Sequence, residues 1–173
     1  MRILHINTER GWRGGERQTL LTAQSQRKLG HEVELLAHAQ GALLERARAQ
    51  GFVVHTARSG WSVGAWLGRH GRDFDVLHAQ TAKVVAWAVL SKFLHRRPIV
   101  FSRRTSFAVG AQQWATRWKW SQVSQLVAIS EAAAVSPRAM GLSPVVITIY
   151  WGILYDSVSG RIGSALCGTR IRL

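Results

Sequence analysis

Short apolar runs of strand length alternate with stretches of helical period along the first 150 residues. Ile3, Leu4 and Ile6, within residues 1–7, read as a buried strand. Gly14-Gly15 then forms a turn into a helix starting near Glu16, with Leu20, Leu21, Ala23 and Leu29 at helical spacing. Gly30 is placed to end that helix, and Lys28 suits the negative end of its dipole. Residues 31–37 alternate like a strand. Residues 42–50 are an Ala/Leu/Arg-rich helix closed by Gly51, and 52–56 form a third strand. The segment 59–72 carries Gly60, Gly64 and Gly68 beside Trp61, Trp66 and Leu67, which predicts a short, imperfect helix. Residues 76–79 form a strand with little polar alternation, hence a central one. The most apolar helix follows at 83–95. Pro98 opens a strand at 99–102, and a helix at 111–122 bears Trp114, Trp118 and Trp120. Residues 125–129 are the next strand. Ser130 is well placed as the N-cap of a helix ending near Met140-Gly141, and Pro144 precedes a last strand at 145–149.

Strands and helices alternating from end to end predict an α/β fold. It would be a Rossmann-like, mostly parallel sheet with helices on both faces, occupying residues 1–156. In such sheets ligands bind beyond the strand C-termini, where strand order reverses. Gly14-Gly15, the stretch from His78 to Thr81, Arg103-Arg104 and Ser130-Glu131 all follow predicted strand C-termini. Residues 157–173 are rich in Gly, Ser and Arg without a period, and read as an irregular tail.

Composition narrows the partners. The chain has 173 residues, 47% of them hydrophobic and 18% charged, which excludes a disordered polymer and is enough for a proper core. Its formal charge of +14 points to anionic partners. The sole cysteine, Cys167, rules out an internal disulfide and suits a reducing compartment. The N-terminus does not pattern as a signal peptide. The best membrane-span candidate, 81–94, is short and carries Lys83 and Lys92. Trp114, Trp118 and Trp120 beside Arg117 and Lys119 suit a helix resting on an anionic membrane; a merely solvated basic surface is the plainer reading. The arginines are spread along the chain and no nucleic-acid-binding signature is present, so no nucleic-acid partner is expected. Seven histidines without ligand spacing and one cysteine give no metal signal.

Each candidate site residue has a functional and a structural reading. Gly14, Gly15 and Glu16 offer a strand, a glycine turn and a helix N-terminus, a common cradle for anions. The spacing matches neither G-x-G-x-x-G nor G-x-x-x-x-G-K-[ST], so a tight turn without ligand stands beside that reading. His78 is either a packed core histidine or a site residue. Gln80 is able to hydrogen-bond a hydroxyl but not to act as a general base near neutral pH. Arg103 and Arg104 are suited to bidentate pairing with a phosphate or carboxylate, or to a solvated basic loop. Ser130 and Glu131 read first as a helix cap and second as cleft residues.

In order, the segments MRILHIN, GGERQ, LGHEVELLA, DVLHAQ, VFSRRTSF, SQLVAISEA and VVITIYWGI resemble the N-terminal half of glycosyltransferase family 4 enzymes, which have the two-domain GT-B fold. The resemblance implies a retaining transferase moving a sugar from a nucleotide-diphospho-sugar to a lipid or glycan acceptor in cell-envelope polysaccharide synthesis. It would need no metal or other cofactor and would be cytoplasmic, or peripheral on the inner face of the cytoplasmic membrane. By the resemblance the N-terminal half holds the acceptor, and Gly14-Gly15 lies near the donor diphosphate across an interdomain cleft. HAQ stands where many members carry H-x-H, so Gln80 replaces the histidine usually credited with a role near the reacting sugar. Leu154 stands where an aspartate or asparagine is expected. The donor-binding half does not follow within 157–173, which then reads as the remnant of a truncated second domain, and the chain alone is expected to be inactive. The alternative is a non-catalytic nucleotide- or anion-binding α/β module.

Overall fold

A computed structural model of the chain describes residues 1–106 and 113–146. The predicted extension of the last strand to 149, the first two residues of the helix predicted at 111–122, Leu154, and the tail 157–173 with Cys167 lie outside the described residues. Seven strands form one parallel sheet: β1 (Arg2–Asn7), β2 (Glu32–His38), β3 (Val53–Ala57), β4 (Val76–Ala79), β5 (Ile99–Arg103), β6 (Gln125–Ala128) and β7 (Val145–Val146). Their order across the sheet is β3-β2-β1-β4-β5-β6-β7. Helices α1 (Gly14–Lys28), α2 (Ala42–Ala49), α3 (Gly60–His70), α4 (Ala82–Leu90), α5 (Lys92–His95), α6 (Gln113–Ser121) and α7 (Glu131–Ala139) fill the connections. The Rossmann-like α/β architecture is as the alternation predicts.

The sheet is buried on both faces, which is why its central strands are almost uniformly apolar. Alternate residues of β1 divide between two cores. Leu4 and Ile6 join Leu36, Leu77 and Phe101 beneath α3 and α4, against Val63, Leu67, Val84 and Val85. Ile3 faces the other way with Val33 and Leu35, packing on Leu20 and Ala23 of α1 and Leu43 and Leu44 of α2. The period of two on β1 thus anchors both layers.

The glycines that make 59–72 look like a poor helix are its packing surface. Gly60, Gly64 and Gly68 recur every fourth residue, so they share one face of α3. A Cβ on Gly60 would lie 1.7 Å from Nε1 of Trp87, one on Gly64 would lie 3.2 Å from the same ring, and one on Gly68 would lie 2.7 Å from Leu94. Helices α4 and α5 therefore seat bulky side chains directly on the backbone of α3.

Most strand ends shift by a single residue, and two larger differences from the sequence expectation bear on the site and the packing. Gly14 and Gly15 belong to the first turn of α1 rather than to a turn before it. The helix expected at 83–95 is divided at Ser91, whose hydroxyl donates to the carbonyls of Trp87 (2.8 Å) and Ala88 (3.3 Å). The chain then leaves α5 through Arg96 in the left-handed region, φ 54°.

Candidate functional site

Strand order places a crevice. β1 lies between β2 and β4, so the chain runs outward from β1 to β3 and then crosses back to the other side. The loops leaving β1 and β4 diverge at that point, which is where open parallel sheets bind ligands. A cavity of about 540 Å³ opens there. Its walls are the loop after β1, the end of β2 and the first turns of α3 and α4.

Beside this crevice begins α1, and its N-terminus is only half capped. Glu16, at the third helical position, turns back so that its Oε2 accepts from the Arg13 amide at 2.8 Å. The reciprocal half of a capping box needs a Ser, Thr, Asp or Asn acceptor at the cap, and Arg13 has none. Ser59, Thr81 and Ser130 supply that acceptor to α3, α4 and α7, taking the amides of Ser62, Val84 and Ala133 at 3.2, 3.4 and 3.2 Å. The amides of Gly14, Gly15 and Glu16 find no acceptor among the described residues. Glu16 itself is buried, 5% exposed, and also accepts from Asn7 Nδ2 at 3.4 Å.

Beneath this helix end runs a continuous polar chain. Arg104 reaches back from β5, and its guanidinium donates to the carbonyl of Gly15, to Thr19 Oγ1 (3.1 and 3.2 Å) and to Oε1 of Gln80. Nε2 of Gln80 donates to Nδ1 of His5 at 2.8 Å, and the opposite ring nitrogen of His5 meets Gln26 Oε1 at 2.7 Å. Because Nδ1 accepts, Nε2 carries the proton, and His5 is a neutral imidazole of fixed tautomer. Burial pushes its pKa from 6.5 down to about 4 despite the Gln26 bond, with a further downward push from Arg104. His78, tilted against His5 with ring centroids 4.8 Å apart and bonded to Ser102 Oγ at 2.8 Å, is driven well below its ordinary value by the same burial.

Gly15 makes the arginine's approach feasible, since a Cβ there would lie 3.3 Å from its Nη1. Desolvation lowers the Arg104 pKa to about 10, offset in part by the charge of Glu16. Its Nε is buried without a hydrogen-bond partner. The start of α1 therefore combines uncapped amides, the positive end of a helix dipole and an under-satisfied guanidinium, all favouring an anion.

The structure brings Gly14, Gly15, Glu16, Gln80 and Arg104 together. Arg103 faces elsewhere: it is buried, its Nε donates to the Ala133 carbonyl at 3.0 Å, and its guanidinium lies 4.8 Å from the Trp120 ring centre. It fastens β5 to α7. Neither arginine is a solvated loop residue. Ser130 caps α7, and Glu131 pairs with Arg138 at 2.5 Å on the exposed side of that helix. His5, Asn7 and Thr19 also belong to this polar network, and the sequence pattern does not single them out. His5 and Asn7 stand at alternate positions of β1 beside its apolar run Ile3, Leu4 and Ile6, while Thr19 leaves no signal in the sequence. Among the described residues no group of three or more His, Cys, Asp or Glu side chains is arranged to hold a metal ion.

A parallel sheet whose crevice lies at the strand-order reversal, beside a half-capped helix, defines a Rossmann-like α/β domain with a candidate site at that crevice. The profile of Glycosyltransferase Family 4 matches residues 12–153, and the chain belongs to that family. Among solved structures it is similar to Anabaena HepE in complex with UDP-glucose, with a TM-score of 0.69 at 20% identity, covering 88% of this chain and 44% of that one. It is also similar to a glycosyltransferase from Rickettsia africae, TM-score 0.69 at 14% identity, covering 85% and 42%. A third likeness is to the lipopolysaccharide outer core galactosyltransferase WaaB, TM-score 0.64 at 11% identity, covering 87% and 45%. The fold is thus that of the N-terminal half of a GT-B glycosyltransferase, and the chain spans less than half the length of the structures it matches. No curated protein matches the sequence.

Proposed function

We propose that this domain is the acceptor side of a retaining glycosyltransferase that uses a nucleotide-diphospho-sugar, with a lipid or glycan as acceptor. The observation that carries the reading is the start of α1. Its free amides at Gly14 and Gly15, backed by Arg104, make a half-site for the donor diphosphate. The base and ribose would be held by a donor-binding half. Sugar transfer then requires both, because stabilisation of the leaving diphosphate is divided between them. The 173-residue chain alone is expected not to transfer sugar. No metal or other cofactor is invoked.

Titrating the ¹⁵N-labelled chain with UDP-glucose tests this. Amide shifts concentrated at Gly14, Gly15 and Glu16, at roughly millimolar affinity, are the expected result. Micromolar binding of UDP itself would favour a self-sufficient nucleotide-binding module instead. Shifts absent from the start of α1 would remove the diphosphate role.

A peripheral position on an anionic cytoplasmic membrane surface is supported by α6. Trp114 and Trp118, one turn apart, are 78% and 53% exposed beside Arg117. Among the described residues no helix is long and apolar enough to cross a membrane. Salt-sensitive binding to anionic liposomes, without binding to DNA, is the expected outcome.

A further inference from the structure

The cavity at the strand-order reversal carries a charge that the diphosphate half-site does not use. Arg10, Arg58, Lys83 and Lys119 line it, drawn from the loop after β1, the loop after β3, the first turn of α4 and α6. Among the described residues no carboxylate lines the cavity, and none of the four cations forms an ion pair. Elsewhere Arg2 pairs with Glu32 and Glu34, and Arg138 with Glu131. Cations gathered around a concave surface without counter-charge raise the local potential and favour an anion.

A second observation lies deeper in the same cavity. His38, at the end of β2, is 5% exposed and lines the cavity. Its Nδ1 accepts from the Gln40 amide at 3.0 Å. Its Nε2 faces the donating Nε of Arg10 at 3.3 Å. A neutral imidazole accepts at one nitrogen only, so one of these two N–H donors is left without an acceptor on the ring. An acceptor oxygen entering the cavity would satisfy the surplus donor. The indole of Trp87, with Val63 beside it, adds an apolar wall of the kind a sugar ring packs against.

We infer that this cavity reads a negative charge on the acceptor: His38 and Arg10 donate to a phosphate or carboxylate group, Arg58, Lys83 and Lys119 surround it, and Trp87 receives the attached ring. The inference rests on the acceptor-side reading above and narrows it to acidic acceptors. The charge is either lipid-borne, as in a polyprenyl phosphate, or part of a water-soluble acidic sugar.

Calorimetry on the full chain tests it with four probes: methyl glucoside, glucuronate, glucose 6-phosphate, and phosphatidylcholine vesicles carrying a polyprenyl phosphate. At least one anionic probe is expected to bind about tenfold or more tighter than methyl glucoside, the loss expected when a charged hydrogen bond goes unmade. Binding to the vesicles alone assigns a lipid-borne charge, and binding to glucuronate or glucose 6-phosphate a soluble one. His38→Phe, which keeps the ring and removes the donor, should weaken the favoured anion about tenfold. Should that variant fail to fold, the double variant R58A/K83A alters only exposed side chains and is expected to weaken it at least as much. Methyl glucoside binding as tightly as every anionic probe would overturn the inference, as would unchanged anion affinity in R58A/K83A. UDP-glucose shifts absent from Gly14 and Gly15 while anion binding persists would overturn the donor half-site and leave this subsite standing.

Discussion

Nδ1 of His5 lies 2.8 Å from Nε2 of Gln80, and the oxygen of the same amide accepts from Arg104. One side chain thus joins the central strand β1 to the arginine that supports the start of α1. A polar residue that looks replaceable in the sequence is the hinge pin of the site.

Acid should loosen this arrangement. The His5 pKa is depressed from 6.5 to about 4 in the folded state by burial, so the unfolded chain takes up a proton that the folded one refuses. Stability contributed by neutral His5 is complete above about pH 6.5, declines as pH falls through that value, and is lost by about pH 4, a total of about 3 kcal/mol. His78 shifts in the same direction and adds to the loss. Urea unfolding midpoints measured across that range should fall with pH. A His5→Gln variant, which removes the titrating ring, should give a flatter profile.

Gln80→Leu removes the acceptor of Arg104 and the donor to His5 together. His5 Nδ1 is left without a partner and Arg104 Nη2 keeps only Thr19 Oγ1, and the expected cost is about 2 kcal/mol. Chemical denaturation measures it. The UDP-glucose shifts at Gly14 and Gly15 should shrink too, because Arg104 loses one of the contacts that orient it and keeps only Gly15 and Thr19.

Gly60→Ala places a methyl group 1.7 Å from the Trp87 indole nitrogen, a distance no packing tolerates. The ring must move, at about 1–3 kcal/mol. A lower melting temperature and a changed tryptophan emission spectrum are the expected readouts.

Ser130→Ala removes the cap of α7 and should cost about 1 kcal/mol in urea denaturation. Because Ser130 spends its hydroxyl on the Ala133 amide, UDP-glucose shifts at Gly14 and Gly15 should be unchanged.

Much of the fold was written in short-range pattern. Val76, Leu77 and Ala79 read as a central strand because a sheet buried on both faces leaves few polar positions, and β4 does sit beside β1. Gly30 and Gly51 marked the ends of α1 and α2 because both adopt positive φ, 85° and 72°. The start of α1 lies two residues before the position its pattern suggests, since Gly14 and Gly15 look like a turn while their backbone is helical. The break at Ser91 was hidden because it depends on a hydroxyl bonding back to Trp87, a contact that leaves no mark in periodicity. The cavity was the least legible feature. Arg10, His38, Arg58, Lys83 and Lys119 are each separated by 20 or more residues, and only the strand order brings them together. In the sequence they were indistinguishable from general basicity.

The glycine stripe on α3 has a mechanical result. Where Gly60 meets Trp87, one wall of the cavity is set by a backbone resting on a ring. Rotamer changes adjust a gap between side chains, but they do not move a backbone against an aromatic plane. On that side the opening is therefore set by the Trp87 ring, since Gly60 has no side chain to adjust.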